Sequence, residues 1–208
     1  MSDGLILYSN PMSRGRIARW MLEELRQPYS VEYLTFEGLK APEFLVINPM
    51  GKVPTLTHGD IVVTECAAIC AYLAAAFPDA GLQPEPGTAA SAAYYRWLFF
   101  AAGPVEAAVT AKALGQLPPA EKRAMVGYGS FDATIDALES AVEGRSYIAG
   151  DRFSAADVYV GSQIGWGLMF KSIPERPAFV DYWAGLAARP AHKRAGELDD
   201  AAMPPRPA

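Results

Sequence analysis

The sequence predicts two domains in one chain, an α/β unit first and an all-helical unit after it. Three observations carry this. Up to about residue 77, short apolar or β-rich runs alternate with helical patterns. A Pro- and Gly-rich stretch follows, "PDAGLQPEPGT" (78–88), with few apolar residues, which marks a linker. Beyond it every segment reads as helix. The 208 residues suit one large domain or two small ones and are enough for a core. With 51% hydrophobic and 20% charged residues, the composition is globular and not disordered.

In order, Leu5–Tyr8 reads as a short buried strand. Arg14–Leu25 reads as a helix, with apolar positions Ile17, Ala18, Met21, Leu22 and Leu25 at i, i+3, i+4 spacing. Tyr29–Thr35 alternates and is β-rich, a second strand, so the first three elements predict a parallel βαβ crossover. Pro42 can open a short helix to Ile47, which Asn48-Pro49 ends. Val53–Thr57 and Ile61–Thr64 are short strands joined by a hairpin turn at His58-Gly59-Asp60. Glu65–Phe77 is an Ala-rich helix without charge after its first residue, the pattern of a buried helix. This βαβ, helix, ββα order is the layout of a thioredoxin-like unit. The domains are therefore expected at 1–78 and 89–208, with 79–88 as linker.

In the helical half, Ala89–Leu114 carries a kink signal at Gly103-Pro104, and Pro119–Glu143 is expected as one helix opening on proline. Ser154-Ala-Ala-Asp157 has the form of a capping box, opening a helix to about Phe170. Another helix spans Glu175–Ala188, and the tail "AAMPPRPA" is expected to be loose.

The net charge of −5 gives no electrostatic reason to bind nucleic acid or an anionic membrane. Cys66 and Cys70 are four apart, and two residues one helical turn apart do not hold their Cβ atoms at disulfide distance. The two histidines, His58 and His192, are far apart, so no metal site is expected. No signal peptide or membrane span is seen, and a reducing cytoplasm is the expected location.

Four segments together resemble the cytosolic glutathione transferases, with a bacterial, Ser-type-like first motif: "LYSNPMSRGRIARWMLEEL", "NPMGKVPTL", "TECAAICAYL" and "GDRFSAADVYV", in that order and spacing. The resemblance covers nearly the whole chain. It implies a thioredoxin-like domain that binds glutathione, a helical domain lining the pocket of a small hydrophobic electrophile, and a homodimer. Glutathione would be co-substrate, with no other cofactor, and the role would be detoxification.

The chemistry sets the requirement at the first motif. A thiol of cysteine-like pKa, about 8.5, must be held as thiolate. A hydroxyl donor and a helix N-terminus can both favour the anion. Ser13, just before the first helix, suits both roles, but an N-cap needs the same position. The resemblance implies that Ser13 faces the sulfur, with Tyr8 at the strand end as the rival and Ser9 a distant third. It also implies a cis Val53-Pro54 bond that turns the Val53 backbone toward the cysteinyl unit of glutathione, in the manner of an added strand. The alternative is an ordinary trans proline at a strand start. Lys40 and Lys52 are candidates for the glycyl carboxylate, or else solvated surface lysines. Glu65 and Cys66 match the pair that holds the γ-glutamyl end, but Cys66 departs from the usual Ser or Thr. A thiol is a weaker donor than a hydroxyl, although its backbone N–H remains. Candidates for the second-substrate pocket are Met12, Tyr94, Trp97, Phe100, Trp166 and Met169, residue types that are also common in cores. Arg14 and Arg16 read as structural or dimer-facing. Two other readings stand beside the transferase: a glutathione-dependent thiol-disulfide reductase or peroxidase, and a non-catalytic interaction protein of the same fold.

Overall fold

The structure, a computed structural model, describes residues 4–204. The described residues divide into two compact units, 4–81 with 188–204, and 82–187. The tail positions 205–208 lie outside the described residues.

The first unit is thioredoxin-like. Its strands are β1 (Leu5–Ser9), β2 (Tyr29–Tyr33), β3 (Thr55–His58) and β4 (Ile61–Val63), in the order β2-β1-β3-β4. β1 runs parallel to β2, with Leu5 opposite Tyr29 and Ser9 opposite Tyr33. β3 is antiparallel to β1, with Tyr8 opposite Thr55, and β4 is antiparallel to β3. The helices are α1 (Gly15–Leu25), α2 (Pro42–Ile47) and α3 (Cys66–Ala76). The parallel crossover and the hairpin match the pattern read from the sequence. All five apolar positions expected on α1 are buried. Trp20 and Arg19 are buried as well, so α1 is covered on more than one side.

The second cover is a helix that the sequence reading did not anticipate. Pro190–Ala201 forms α9, which packs on α1 and belongs to the first unit. The expected boundary of 89–208 is therefore corrected: the chain returns to its first unit at about residue 188. The reason is ionic. Arg19 Nε donates to Asp199 Oδ1 at 3.0 Å, and both residues are buried. Arg189 grips Glu24 with two hydrogen bonds, at 2.7 and 2.8 Å, while Trp20 Nε1 donates to Glu24 at 2.8 Å. The helix pattern of "PAHKRAGELDDA" is too polar to announce burial, and the ion-pair partners of its Arg194, Asp199 and Asp200 stand on α1, far away in the sequence.

The second unit holds α4 (Ala89–Phe100), α5 (Glu106–Ala113), α6 (Phe131–Val142), α7 (Ala155–Met169) and α8 (Pro177–Ala187). A π-helical turn, Ala101–Val105, joins α4 to α5 and accommodates Pro104, which has no N–H to give the helix. The single helix expected over Pro119–Glu143 is two pieces: a 3₁₀ segment Ala120–Met125, then α6. Gly129, at φ +66°, breaks the run, and Ser130 restarts it by accepting the Ala133 N–H at 3.2 Å. The linker also ends earlier than expected: Leu82 is buried in the second unit, and its C=O accepts the Ala155 N–H at 2.9 Å.

The capping box at α7 is present, and Asp157 is fully buried at its centre. Its Oδ2 accepts the Ser154 N–H at 2.8 Å and the Ser154 hydroxyl at 2.9 Å. Its Oδ1 accepts the Ile148 N–H and the Tyr182 hydroxyl, each at 2.7 Å. Burial pushes the Asp157 carboxyl up, opposed by these four donors.

Candidate active site

The end of β1 runs into a tight turn made by its own side chains. Asn10 is buried; its Nδ2 donates to Leu34 C=O at 2.8 Å and its Oδ1 accepts the Met12 N–H at 2.8 Å. Asn10 C=O then accepts twice from Ser13, from N–H at 3.0 Å and from Oγ–H at 2.7 Å. Ser13 Oγ in turn accepts the Gly15 N–H at 3.0 Å. Ser13, one residue before the N-cap Arg14, therefore takes the first amide of α1 on its hydroxyl, and it is half-buried and reachable from solvent. No acidic side chain stands in that first turn, so the positive end of the helix is left for an anion. Glycine at position 15 is required by contact: a Cβ there would lie 2.0 Å from Ser9 Oγ and 3.1 Å from Ser13 Oγ.

Strand alternation separates the three hydroxyls. Ser9 shares its face with Leu5 and Leu7 and is fully buried, and its Oγ has no hydrogen-bond partner among the described residues. Tyr8 points to the other face, half-buried, with its ring 5.7 Å from that of Phe44 on α2. Its hydroxyl makes no hydrogen bond to the described residues.

The second motif arrives through the sheet register. Because Tyr8 is opposite Thr55, the residues before Thr55 lie beside the end of β1. The Val53-Pro54 bond is cis. Val53 is half-buried, and neither its N–H nor its C=O has a partner among the described residues. The loop is held by Asn48, buried, whose Nδ2 donates to Lys52 C=O at 2.9 Å and to Thr55 Oγ1 at 3.0 Å. Thr55 Oγ1 also donates to Lys52 C=O at 3.0 Å, and Asn48 Oδ1 accepts the Met50 N–H at 3.1 Å. The sequence reading took Asn48 only as a helix stop. A polar residue before Pro-Met-Gly signalled a turn, but its three-way hold on the loop required the folded neighbours. Gly51, at φ +58°, lies against Leu39 C=O and Lys40 Nζ, 2.6 and 3.0 Å from where a Cβ would sit. Lys40 thus reaches the loop that carries Lys52, and both lysines are exposed.

The third motif opens α3. Glu65 is exposed and sits at φ +64°, a left-handed backbone that a non-glycine residue rarely adopts. Cys66 is buried, its Sγ 3.7 Å from Arg14 C=O, which ties the start of α3 to the start of α1. Ser13, Val53-Pro54 and Glu65-Cys66 are thereby gathered around one end of β1, within one unit.

The candidates for the second pocket fare unequally. Met12 is exposed at the tip of the Ser13 turn. Within the second unit Tyr94 is fully enclosed, a core residue. Trp97 is nearly so, and its ring meets Phe100 edge-on at 5.4 Å. Phe100 and Trp166 are half-buried, and Met169 is exposed. No group of His, Cys, Asp and Glu able to hold a metal occurs among the described residues. No helix among them is long and apolar enough to cross a membrane.

The family description "Glutathione S-transferase, N-terminal domain" matches residues 3–75, and "Glutathione S-transferase, C-terminal domain" matches residues 116–190. The chain belongs to the glutathione S-transferase family. It is 30% identical to glutathione S-transferase 3 of Zea mays over 179 residues, 77% of this chain and 78% of that protein. Among solved structures it is similar to a glutathione transferase from Methylococcus capsulatus, with TM-score 0.78, 27% identity, and 95% and 99% of the two chains covered. It is also similar to a sphingomonad glutathione S-transferase complexed with glutathione, with TM-score 0.75, 26% identity, and 94% and 98% covered. In this glutathione S-transferase the Val53-Pro54 bond is cis, the first turn of α1 holds no acid, and Cys66 stands at the start of α3.

Proposed function

We propose that this family member activates the glutathione thiol as thiolate for attack on a small apolar electrophile. One observation carries the reading: the sheet register and the Cys66–Arg14 contact bring three segments to one end of β1. They are a hydroxyl at a helix N-terminus, an unpaired backbone edge at Val53, and an acid at Glu65.

On this reading Val53 N–H and C=O pair with the cysteinyl backbone of glutathione, beside Pro54. Lys40 and Lys52 take the glycyl carboxylate. Glu65 pairs with the γ-glutamyl ammonium, and the Cys66 N–H at the start of α3 takes the neighbouring carboxylate. Ser13 Oγ–H turns from Asn10 C=O to the sulfur. Asn10 C=O keeps its bond from the Ser13 N–H, and the Gly15 N–H stays on Ser13 Oγ, which makes the hydroxyl a stronger donor. The thiol proton passes to water. The thiolate forms a C–S bond to the electrophilic carbon, whose leaving group departs with the bonding electrons. Lowering the thiol pKa by about 2 units takes about 2.7 kcal/mol of preference for the anion. Tyr8 is the alternative donor. Met12, exposed at the tip of the Ser13 turn, is proposed to face the electrophile. A cytoplasmic homodimer with glutathione as co-substrate, acting in detoxification, completes the proposal. Cys66, buried against Arg14 C=O, is poorly placed for disulfide exchange, which favours the transferase over a reductase.

Retention on immobilised glutathione, and conjugation of an activated aryl halide by wild type, Ser13→Ala and Tyr8→Phe, test this. Wild-type protein that neither binds nor conjugates defeats the reading. Activity lost in Tyr8→Phe and kept in Ser13→Ala moves the thiol's donor to Tyr8.

A further inference from the structure

The C-terminal helix reaches the loop that presents Ser13. Arg16, in the first turn of α1, donates Nε–H to Pro11 C=O at 2.7 Å. The other end of the same guanidinium pairs with Asp200 of α9. Pro11 C=O is two residues before Ser13, inside the turn whose carbonyls decide where the Ser13 hydroxyl points. One helical turn on, Arg19 pairs with the buried Asp199 and donates to the hydroxyls of Tyr29 and Tyr33, which fixes the α9 backbone next to Asp200.

We propose that Asp200, acting through Arg16, is a positioning residue for Ser13, so that α9 is part of the frame of the site. The inference rests on Ser13 being the thiol's donor. The physical argument is one of restraint. An arginine side chain has high rotamer entropy, and a single hydrogen bond to a carbonyl leaves it free to swing. Asp200 holds the far end of the guanidinium, and Arg16 can then present Nε–H in one direction. The Arg16 side chain is 28% exposed and that of Asp200 is 70% exposed, so the pair is screened and its effect is graded, not all-or-none. Arg194 and Glu23 form a comparable α9–α1 pair at 2.9 Å that does not touch the loop, and this provides the control.

The test compares wild type with Asp200→Asn, Asp200→Glu, Arg16→Met and Arg194→Gln. The first readout, without ligand, is amide hydrogen exchange at Ser13 and Gly15. The second is the pH profile of kcat/KM for conjugation. Asp200→Asn should speed exchange at these amides about threefold, the range of one screened ion pair. It should also shift the profile upward by about half a pH unit, with KM for glutathione unchanged. Arg16→Met should do the same about tenfold, Asp200→Glu should restore wild-type behaviour, and Arg194→Gln should change neither readout. The proposal is overturned if Asp200→Asn leaves exchange at Ser13 and Gly15 unchanged. It is overturned equally if Arg194→Gln loosens them as much, or if exchange responds while the pH profile does not. Wild-type protein that fails to conjugate defeats the proposed reaction and with it the catalytic meaning of the frame, whereas the exchange data alone decide whether α9 holds the loop.

Discussion

Ser13 and Ser154 both stand just before a helix, and each bonds the first turn that follows. Around Ser154 every polar group is closed off: Asp157 collects four donors, and serine and aspartate are both buried. Around Ser13 the network is open. The hydroxyl proton rests on a neighbouring carbonyl, the helix start holds no acid, and the side chain is reachable from solvent. A closed cap spends its hydrogen bonds on stability. An open one keeps a proton and a helix end available to an incoming anion. The residue type is the same in both, although Ser154 directly precedes its helix and Ser13 stands one residue further back, before Arg14; the presence or absence of an acid three residues on separates them.

The sharpest way to break this comparison is Asp157→Ala. It strands the Ile148 and Ser154 N–H groups and the Tyr182 hydroxyl in the core, and should cost about 3–5 kcal/mol of stability. Urea unfolding measures the loss, and turnover per folded molecule should stay unchanged. Ser13→Ala should do the opposite. Conjugation should fall about a hundredfold, equivalent to about 2.7 kcal/mol of lost preference for the thiolate. Stability should change by no more than about 1 kcal/mol, the value of one cap. Absorbance of the bound thiolate against pH reads the first effect directly. Gly15→Ala tests how tightly the open cap is built. The new methyl meets Ser9 Oγ, and a loss of about 1–3 kcal/mol is expected from overpacking. In a Ser9→Ala background the closest contacts left are the Cβ of residue 9 and Ser13 Oγ, each at 3.1 Å, so a double-mutant cycle should show clear coupling.

The smallest effect lies at alkaline pH. Burial and the Glu23 carboxylate, set against Arg19, push the Tyr29 phenol up to about 12. A raised folded pKa means stability held below the unfolded value near 10 and lost as pH rises toward 12, by about 1 kcal/mol or less after solvent screening. Tyr182, donating to buried Asp157, is also pushed up, chiefly by burial. Burial raises the Tyr33 phenol too, so phenolate absorbance should show Tyr29, Tyr33 and Tyr182 titrating late, and Tyr29→Phe should remove one of the three.

Much of the first unit was legible in the sequence because its elements carry local periodicity. The α1 stripe of Ile17, Ala18, Met21, Leu22 and Leu25 is buried as expected, and strand alternation puts Tyr8 and Ser9 on opposite faces. The burial of Arg19 was not legible. A charged residue on the polar side of a helix reads as solvated until Asp199, 180 residues away, is brought to it. Asn48 was read as punctuation because its partners Lys52 and Thr55 are met only when the loop folds back. Tyr94 and Trp97 were legible as large aromatics at helical spacing, but that spacing does not separate core from pocket, and both are buried. Pro119–Glu143 failed for a simpler reason: the helical pattern outweighed Gly127 and Gly129, and a left-handed glycine ends a helix whatever the pattern around it.

By itself the sequence determined the order of strands and helices in the first unit up to α3 and the change from α/β to all-helical. These depend on neighbours a few positions apart. Only the tertiary structure decided which serine is a closed cap and which is open, which arginines are buried, and that the last helix belongs with the first unit. Each of these depends on partners distant in the chain, and a charge, a carbonyl or a hydroxyl takes its meaning from whatever polar group folding sets against it.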